Sequence, residues 1–584
     1  MFDLKITGGV VVDGTGAPRR QADVAVKDGV IVEVGACEGP ATQTFDAKGL
    51  LVVPGFTDLH THYDGQVSWD ADMAPSSLHG VTTAVMGSCG VGFAPVRPAD
   101  RERLIALMEG VEDIPGSALA EGLKWDWETF GEYMDAVDRV PRSIDVVAQI
   151  THDPLRVYVM GDRAFSGSEA TEADIEAMRA LVREAVVAGA AGFSTGRTDN
   201  HRSRDGSDTP ASEASAEELI GIARALEGLS HGVLQAVSDF DMERGRERFE
   251  AEFEVLARMA RAAGGKPMSI SLMQRDLDTT QWRRILEKVE ACTADGVPMR
   301  VQVGARGIGV LLGLEATFHP FIGFPSYKAI SQLPLAERVA KMREPAFKAQ
   351  ILTETSEKIA GDGSNVPPMA DRFLANLDFI SMRMFRLGER PNYEPAKEES
   401  LFAEAMRLGK PALEVIYDAI VANDGRELLY FPVYNYSEFN LDAVGEMLAH
   451  PLALPGLSDG GAHVGTVCDA SFPTFMLTHW ARDRAHGKLP LERVVKMLTH
   501  DTSRYIGLAD RGTLEVGQRA DINVIDYDHL TLTRPKLVQD LPAGGKRLLQ
   551  ESLGYKATFV RGVQTVANGV LTGAKPGRLA RIGA

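Results

Sequence analysis

Two histidines one residue apart, His60 and His62 in LLVVPGFTDLHTHYDG (residues 51–66), stand where an apolar run ends among acids. On a strand, side chains two residues apart share a face, so these imidazoles converge on one point and suit a divalent metal. Taken alone, such a pair is equally consistent with two solvated loop histidines. Two other segments supply different donors at similar places: GVTTAVMGSCG ends on Cys89, and LALPGLSDGGAHVG brings Asp459 to a strand terminus. Cys89 by itself also reads as a small buried hydrophobe, and Asp459 as a turn or cap residue. Together, two imidazoles, a thiolate and a carboxylate are donors of the kind Zn²⁺ takes.

Such donors meet only if strand ends gather on one side of a sheet. The first fifty residues read as short strands punctuated by Gly and Asp-Gly, and the same grammar returns in DRGTLEVGQRADINVIDYD and YKATFVRGVQTVANGVLTG, so both chain ends are expected in one β system. Between them, strand-like segments alternate with amphipathic helical ones, as in IDVVAQITH before EADIEAMRALVREAVVAGA. Alternating β and α over this length predicts an α/β fold with a parallel sheet, most economically a (β/α)8 TIM-like barrel, with active groups at the carboxyl ends of its strands. The expected division is a β-sandwich from residues 1–53 and 508–584 around a barrel at 54–507. That middle far exceeds the about 250 residues a bare barrel needs. Insertions are therefore expected, and the Gly- and aromatic-rich stretch from residue 304 marks a candidate lid over about 304–400.

Composition excludes several classes. A net charge of −19 over 584 residues argues against nucleic acid and anionic membranes as partners. The four cysteines, Cys37, Cys89, Cys292 and Cys468, lie far apart without CxxC spacing, which fits neither a disulfide framework nor a zinc finger and suits a reducing, cytoplasmic compartment. The N-terminus has Asp3 and Lys5 where a signal peptide needs an apolar core, and no apolar run is long enough to span a bilayer. A homo-oligomer is the default for a soluble enzyme.

GFTDLHTHYDG, GVTTAVMGSCG, GLSDGG and the closing DRGTLEVGQRADINVID resemble the amidohydrolase superfamily, and within it the D-aminoacylase (N-acyl-D-amino-acid deacylase) branch. The likeness covers nearly the whole chain. It implies a (β/α)8 barrel with a small β-sandwich built from both termini, and hydrolysis of a small-molecule amide by metal-activated water. One departure stands out. Where family members place two more metal-binding histidines, the counterparts GVLQAVSDFD and PMSISLMQRD carry Val237 and Leu272. One divalent ion per chain, most simply Zn²⁺, is therefore expected, held by His60, His62, Cys89 and Asp459. Asp459 would act as base and then acid, with His463, four residues on, polarising the carbonyl or binding substrate. The polar loop GFSTGRTDNHRSRDGSDTPAS offers Arg197 or Arg202 for a substrate carboxylate and His201 as a replacement ligand, or is simply solvated, and His152, which ends another apparent strand, reads as a substrate-side second-layer residue or a satisfied core histidine. Two other readings stay open: a cyclic-amidase or deaminase-type enzyme, and a non-catalytic degenerate barrel acting as a binding or scaffold protein.

Overall fold

Strands β1 (Phe2–Val11), β2 (Arg20–Lys27), β3 (Val30–Gly35), β4 (Ala41–Asp46) and β5 (Leu51–Pro54) open the chain in the computed structural model, which describes residues 1–240, 245–359 and 370–583. The β2–β3 hairpin turns on Asp28-Gly29, both left-handed (φ 52° and 76°), the geometry a two-residue connection needs to match strand twist. All four residues of β5 are buried, because β5 is flanked on both sides by other strands.

Next comes a parallel series: β6 (Phe56–Asp58), β7 (Val81–Met86), β8 (Asp145–Ala148), β9 (Ile150–Thr151), β10 (Gly192–Arg197), β11 (Val233–Ser238), β12 (Met268–Leu272) and β13 (Met299–Val303). Neighbours run in chain order, β6–β7–β8 in one sheet and β9 through β13 in another, each pair parallel. Only Gln149 separates β8 from β9. Parallel strands covered on both faces should be buried throughout, and β7, β8, β11 and β12 are. The connecting helices carry the expected signals. Glu172–Val187 starts at Thr171, whose side chain accepts from the Asp174 amide in a reciprocal cap, and buries Met178, Val182, Ala185 and Val186.

After β13 the chain leaves the series. β14 (Ile308–Leu312), β15 (Phe385–Arg386) and β16 (Leu429–Tyr434) form a separate antiparallel sheet with helices between them. This body has its own apolar core, including Leu312, Phe318, Phe321, Ile416, Tyr417 and Ile420. Each such side chain, fully buried, contributes about 1.5–3 kcal/mol. The insertion thus extends past the expected 304–400, and residues 360–369 of that range lie outside the described residues. The chain returns at β17 (Ala453–Pro455), which pairs with β13, and beyond it Gly460 bridges Thr61 in parallel register, making the first and last strands of the series neighbours.

Strand β18 (Ile522–Ile525) and the strands Tyr555–Val560, Val563–Ala567 and Val570–Leu571 join β1–β5 in one nine-stranded sheet, with β5 between β1 and β18. The last residues of the expected 508–584 unit leave this sheet: Gly577 bridges Arg142, and Leu579 bridges Val146 of β8. Asp145 draws them there, accepting from the Arg578 amide and from Arg511 and Arg519. No helix among the described residues is long and apolar enough to cross a membrane.

Candidate metal centre

Past the end of β6, the segment 60–62 is laced between its neighbours: Thr61 N donates to Val85 O (3.0 Å), His62 N to Gly460 O (2.8 Å), and Asp459 N to His60 O (3.1 Å). Both histidines are therefore fixed by backbone, and alternation turns their rings to the same side. His60 Nε2 lies 3.2 Å from Cys89 Sγ and 3.4 Å from Asp459 Oδ1, and His62 Nε2 lies 3.6 Å from the same Oδ1. Ligand atoms of His60, His62 and Cys89 lie within 4.8 Å of one another, and among the described residues this is the one such cluster of three or more His, Cys, Asp or Glu donors.

The opposite ring nitrogens are also held. His60 Nδ1 meets Gln302 Oε1 at 2.7 Å, and Gln302 in turn donates to Ser269 Oγ at 2.9 Å. An amide oxygen only accepts, so it requires N–H at Nδ1 and leaves Nε2 to face the cluster. His62 Nδ1 lies 3.1 Å from Glu112 Oε1. Cys89 sits in the left-handed region (φ 57°) with its amide donating to Gln235 Oε1 at 2.8 Å, and Asp459 (φ 50°) and His463 (φ 48°) share that conformation. Left-handed backbone at three non-glycine positions is strain of the sort functional sites keep. Gly461 (φ 91°) is required by close approach: a Cβ there would stand 2.8 Å from His62 O.

Charges inside the cluster reinforce one another. Burial pushes the His60 imidazole down, but the Cys89 thiolate and Asp459 carboxylate outweigh it and raise the ring to about 9. For His62, burial is outweighed by the charge of Glu112 and by hydrogen bonds to Asp459 and Cys89, leaving it well above its ordinary value. In return, the two imidazoles hold the Cys89 thiol below its usual value and the Asp459 carboxyl well below the usual carboxylate range, although burial alone would raise both. Two imidazole nitrogens, a thiolate and a carboxylate, close together and mostly buried, fit a divalent cation in both charge and donor type. Val237 and Leu272, 7% and 0% exposed, offer it nothing.

The remaining sequence candidates divide. His463 stands at the cluster, its side chain 30% exposed and Nε2 3.6 Å from Glu112 Oε2. His201, pushed down to about 4 by burial, lies within electrostatic reach of Glu112, His463, His62 and Asp459. The other three are engaged elsewhere. Arg197 is spent on Glu252, its Nε and Nη2 donating to the two carboxylate oxygens at 2.6 and 3.0 Å, with Nη1 on Ala214 O. Arg202 pairs with Asp208 and Asp199 of its own loop. His152 is buried between Thr195 Oγ1 (2.9 Å) and Glu218 Oε1 (3.0 Å), a core histidine with both nitrogens occupied. Two residues at the centre escaped sequence reasoning, Gln302 and Glu112, and one buried arginine beyond β12, Arg275, was also passed over. Arg275 is buried three residues beyond β12, donates to Ser238 O at the end of β11 (2.8 Å), and keeps Nη1 without a hydrogen bond among the described residues. The signal for Glu112 was an acid in the apolar pattern of ERLIALMEGVED; the other two carried none.

The sequence profile of the Amidohydrolase family matches residues 43–571. D-aminoacylase of Alcaligenes xylosoxydans xylosoxydans is 28% identical over 582 residues, covering 99% of this chain and 97% of that protein. Among solved structures, a D-aminoacylase described for its binuclear metal centre, with one-metal activation and second-metal attenuation, superposes with a TM-score of 0.64 at 24% identity over 99% of each chain. N-acyl-D-glutamate deacylase from Bordetella bronchiseptica, complexed with zinc and a phosphonate inhibitor, gives 0.62 at 24% identity over 99% of each chain.

Proposed function

We propose, since this chain belongs to the amidohydrolase family, that it hydrolyses the amide of an N-acyl amino acid, most simply of the D series, at a single-metal centre formed by His60, His62, Cys89 and Asp459. The observation that carries this reading is the meeting of two histidine Nε2 atoms, one thiolate and one carboxylate from three separate strand ends. We further read the parallel series, in chain order and rejoined by the Thr61–Gly460 bridge, as a closed (β/α)8 barrel, and the sheet of both termini as its β-sandwich.

A divalent ion, with Zn²⁺ favoured by the thiolate, would supply an activated water and an electrophile for the carbonyl. The chain's own residues do the rest. Gln302 fixes the His60 tautomer and Glu112 faces His62 Nδ1, so both rings present Nε2. Asp459, ionised and beside both rings, accepts the proton of the attacking water and delivers it to the departing nitrogen, because an amine leaves only when protonated. His463, partly exposed, is placed to orient the scissile carbonyl. With Arg197 and Arg202 committed elsewhere, Arg275 takes the role of gripping the substrate carboxylate, a task suited to its planar fork. Net charge and free cysteines support a cytoplasmic protein, and a homo-oligomer is the default for a soluble enzyme.

Purified protein assayed for amine release on N-acyl D- and L-amino acids and on cyclic amides, with elemental analysis in parallel, tests the reading. Turnover of acyl amino acids with about one divalent ion per chain is expected. Turnover confined to cyclic amides, or no metal at all, would overturn it.

A further inference from the structure

Past Cys89, the connection between β7 and β8 lies apart from the strand ends that carry the donors, yet one of its side chains reaches the centre. Helix α1 (Arg101–Glu112) ends on Glu112, which is fully buried, and the chain then turns through Asp113 in the left-handed region (φ 51°). Glu112 Oε1 lies 3.1 Å from His62 Nδ1, and Oε2 lies 3.6 Å from His463 Nε2. The backbone carbonyl of Glu112 accepts from the His463 amide, and Asp113 Oδ2 accepts from the Gly465 amide and the Thr466 hydroxyl, both at 3.2 Å. Two consecutive residues therefore grip a metal-ligand candidate on one side and the loop that carries Asp459 and His463 on the other.

We infer that Glu112 is the positioning residue of this centre, orienting His62 through Nδ1 and setting His463 against it with the other oxygen. The inference rests on the metal-centre reading above. A carboxylate is costly to bury without partners, and among the described residues neither Glu112 oxygen makes an aligned hydrogen bond, so the two imidazoles are its compensation. Packing alone would be better served by an apolar residue at a helix end inside the core. A carboxylate behind a metal-binding imidazole fixes its tautomer and raises its basicity, and losing such a partner typically weakens metal binding 10–100-fold. The two imidazoles are thus backed unequally: His60 by a neutral amide, His62 by an anion.

The test uses full-length protein stripped by chelator and reloaded with Co²⁺, with the dissociation constant read by chelator competition and the ligand field by absorption. Glu112→Gln should keep wild-type circular dichroism, bind Co²⁺ about 10–100-fold more weakly, and shift its visible bands. Glu112→Asp, charged but one methylene short, should fall between the two and carries the test if the glutamine variant does not fold. In kcat/KM, Glu112→Gln and His463→Asn should be non-additive, because one carboxylate serves both rings. A folded Glu112 variant with Co²⁺ affinity within about twofold of wild type and an unchanged spectrum would overturn the inference while leaving the metal centre standing. Failure of the wild type itself to bind Co²⁺ would instead remove the metal-centre reading, and this inference with it.

Discussion

Loading a divalent ion onto protein stripped of metal should release more than one proton per chain at pH 8. The His60 imidazole, lifted to about 9 by Cys89 and Asp459 against its burial, is roughly nine-tenths protonated there. His62 is likewise held well above its ordinary value against its burial, chiefly by Glu112, and adds to the count, whereas the Cys89 thiol, lowered by the same imidazoles, adds less than a free thiol would. A metal ligand must offer a lone pair, so any proton held on these ring nitrogens has to leave. Ordinary side-chain values predict a different result: at pH 8 two neutral imidazoles and a mostly protonated thiol would release only about 0.8 proton. Each proton released makes affinity climb about tenfold, or roughly 1.4 kcal/mol, for each pH unit. The same sign governs folding of the stripped protein. Imidazoles whose pKa is raised on folding stabilise it fully below about 6.5, and that contribution fades as pH rises through 9. Calorimetric titration in buffers of different ionisation enthalpy reads the proton count directly. A value at or below the about 0.8 proton that ordinary side chains give at pH 8 would refute the coupled cluster.

Cys89→Ala should lose most of its metal and turnover while staying folded, and Cys37, Cys292 and Cys468, buried outside the cluster, should tolerate alanine; metal content and circular dichroism decide. Asp459→Asn keeps one donor oxygen but cannot shuttle a proton, so kcat should fall about 10²–10⁴-fold with part of the metal retained, as measured by steady-state kinetics beside elemental analysis. Asp145→Asn removes the carboxylate that accepts from Arg511 (2.8 Å) and Arg519, leaving these largely buried guanidiniums only Asp510 and Asp521 as acidic partners. It should cost about 1.5–3 kcal/mol in urea unfolding, and a loss under about 0.5 kcal/mol would show that this carboxylate is dispensable.

The strand period was enough to bring His60 and His62 to one point, although both lie past the end of β6 and are held by Val85 and Gly460 rather than by the strand itself. Cys89 and Asp459 were legible as strand-end residues. Their left-handed backbone was not, because strain of that kind is imposed by tertiary contacts. Arg197 and Arg202 misled for a physical reason: an arginine in a polar loop looks available until its carboxylate is known, and Glu252 lies 55 residues away in sequence. Glu112 was missed for the converse reason. Its partner His62 is fifty residues upstream, and no motif spacing links a helix terminus to a strand end. Gln302 likewise acquires its meaning only from the register that sets β13 beside β12 and its Ser269.

The placement of β5 between β1 and β18 has a consequence for how the protein is made. β5 runs almost directly into the His60–His62 segment, but its second neighbour, Ile522–Ile525, is encoded about 460 residues later. At ribosomal rates of about 5–20 residues per second, that gap lasts roughly 25–90 s. For nearly all of that time the nascent chain displays two histidines and Cys89 without Gly460 to lock their backbone or Asp459 to complete the donors. Any ion captured early would meet a soft, incomplete set of two nitrogens and one sulfur, the kind copper and zinc prefer over magnesium or manganese. The carboxylate that completes the proposed donor set arrives last, so a preference that depends on it would act late in synthesis, when the ends of the chain meet.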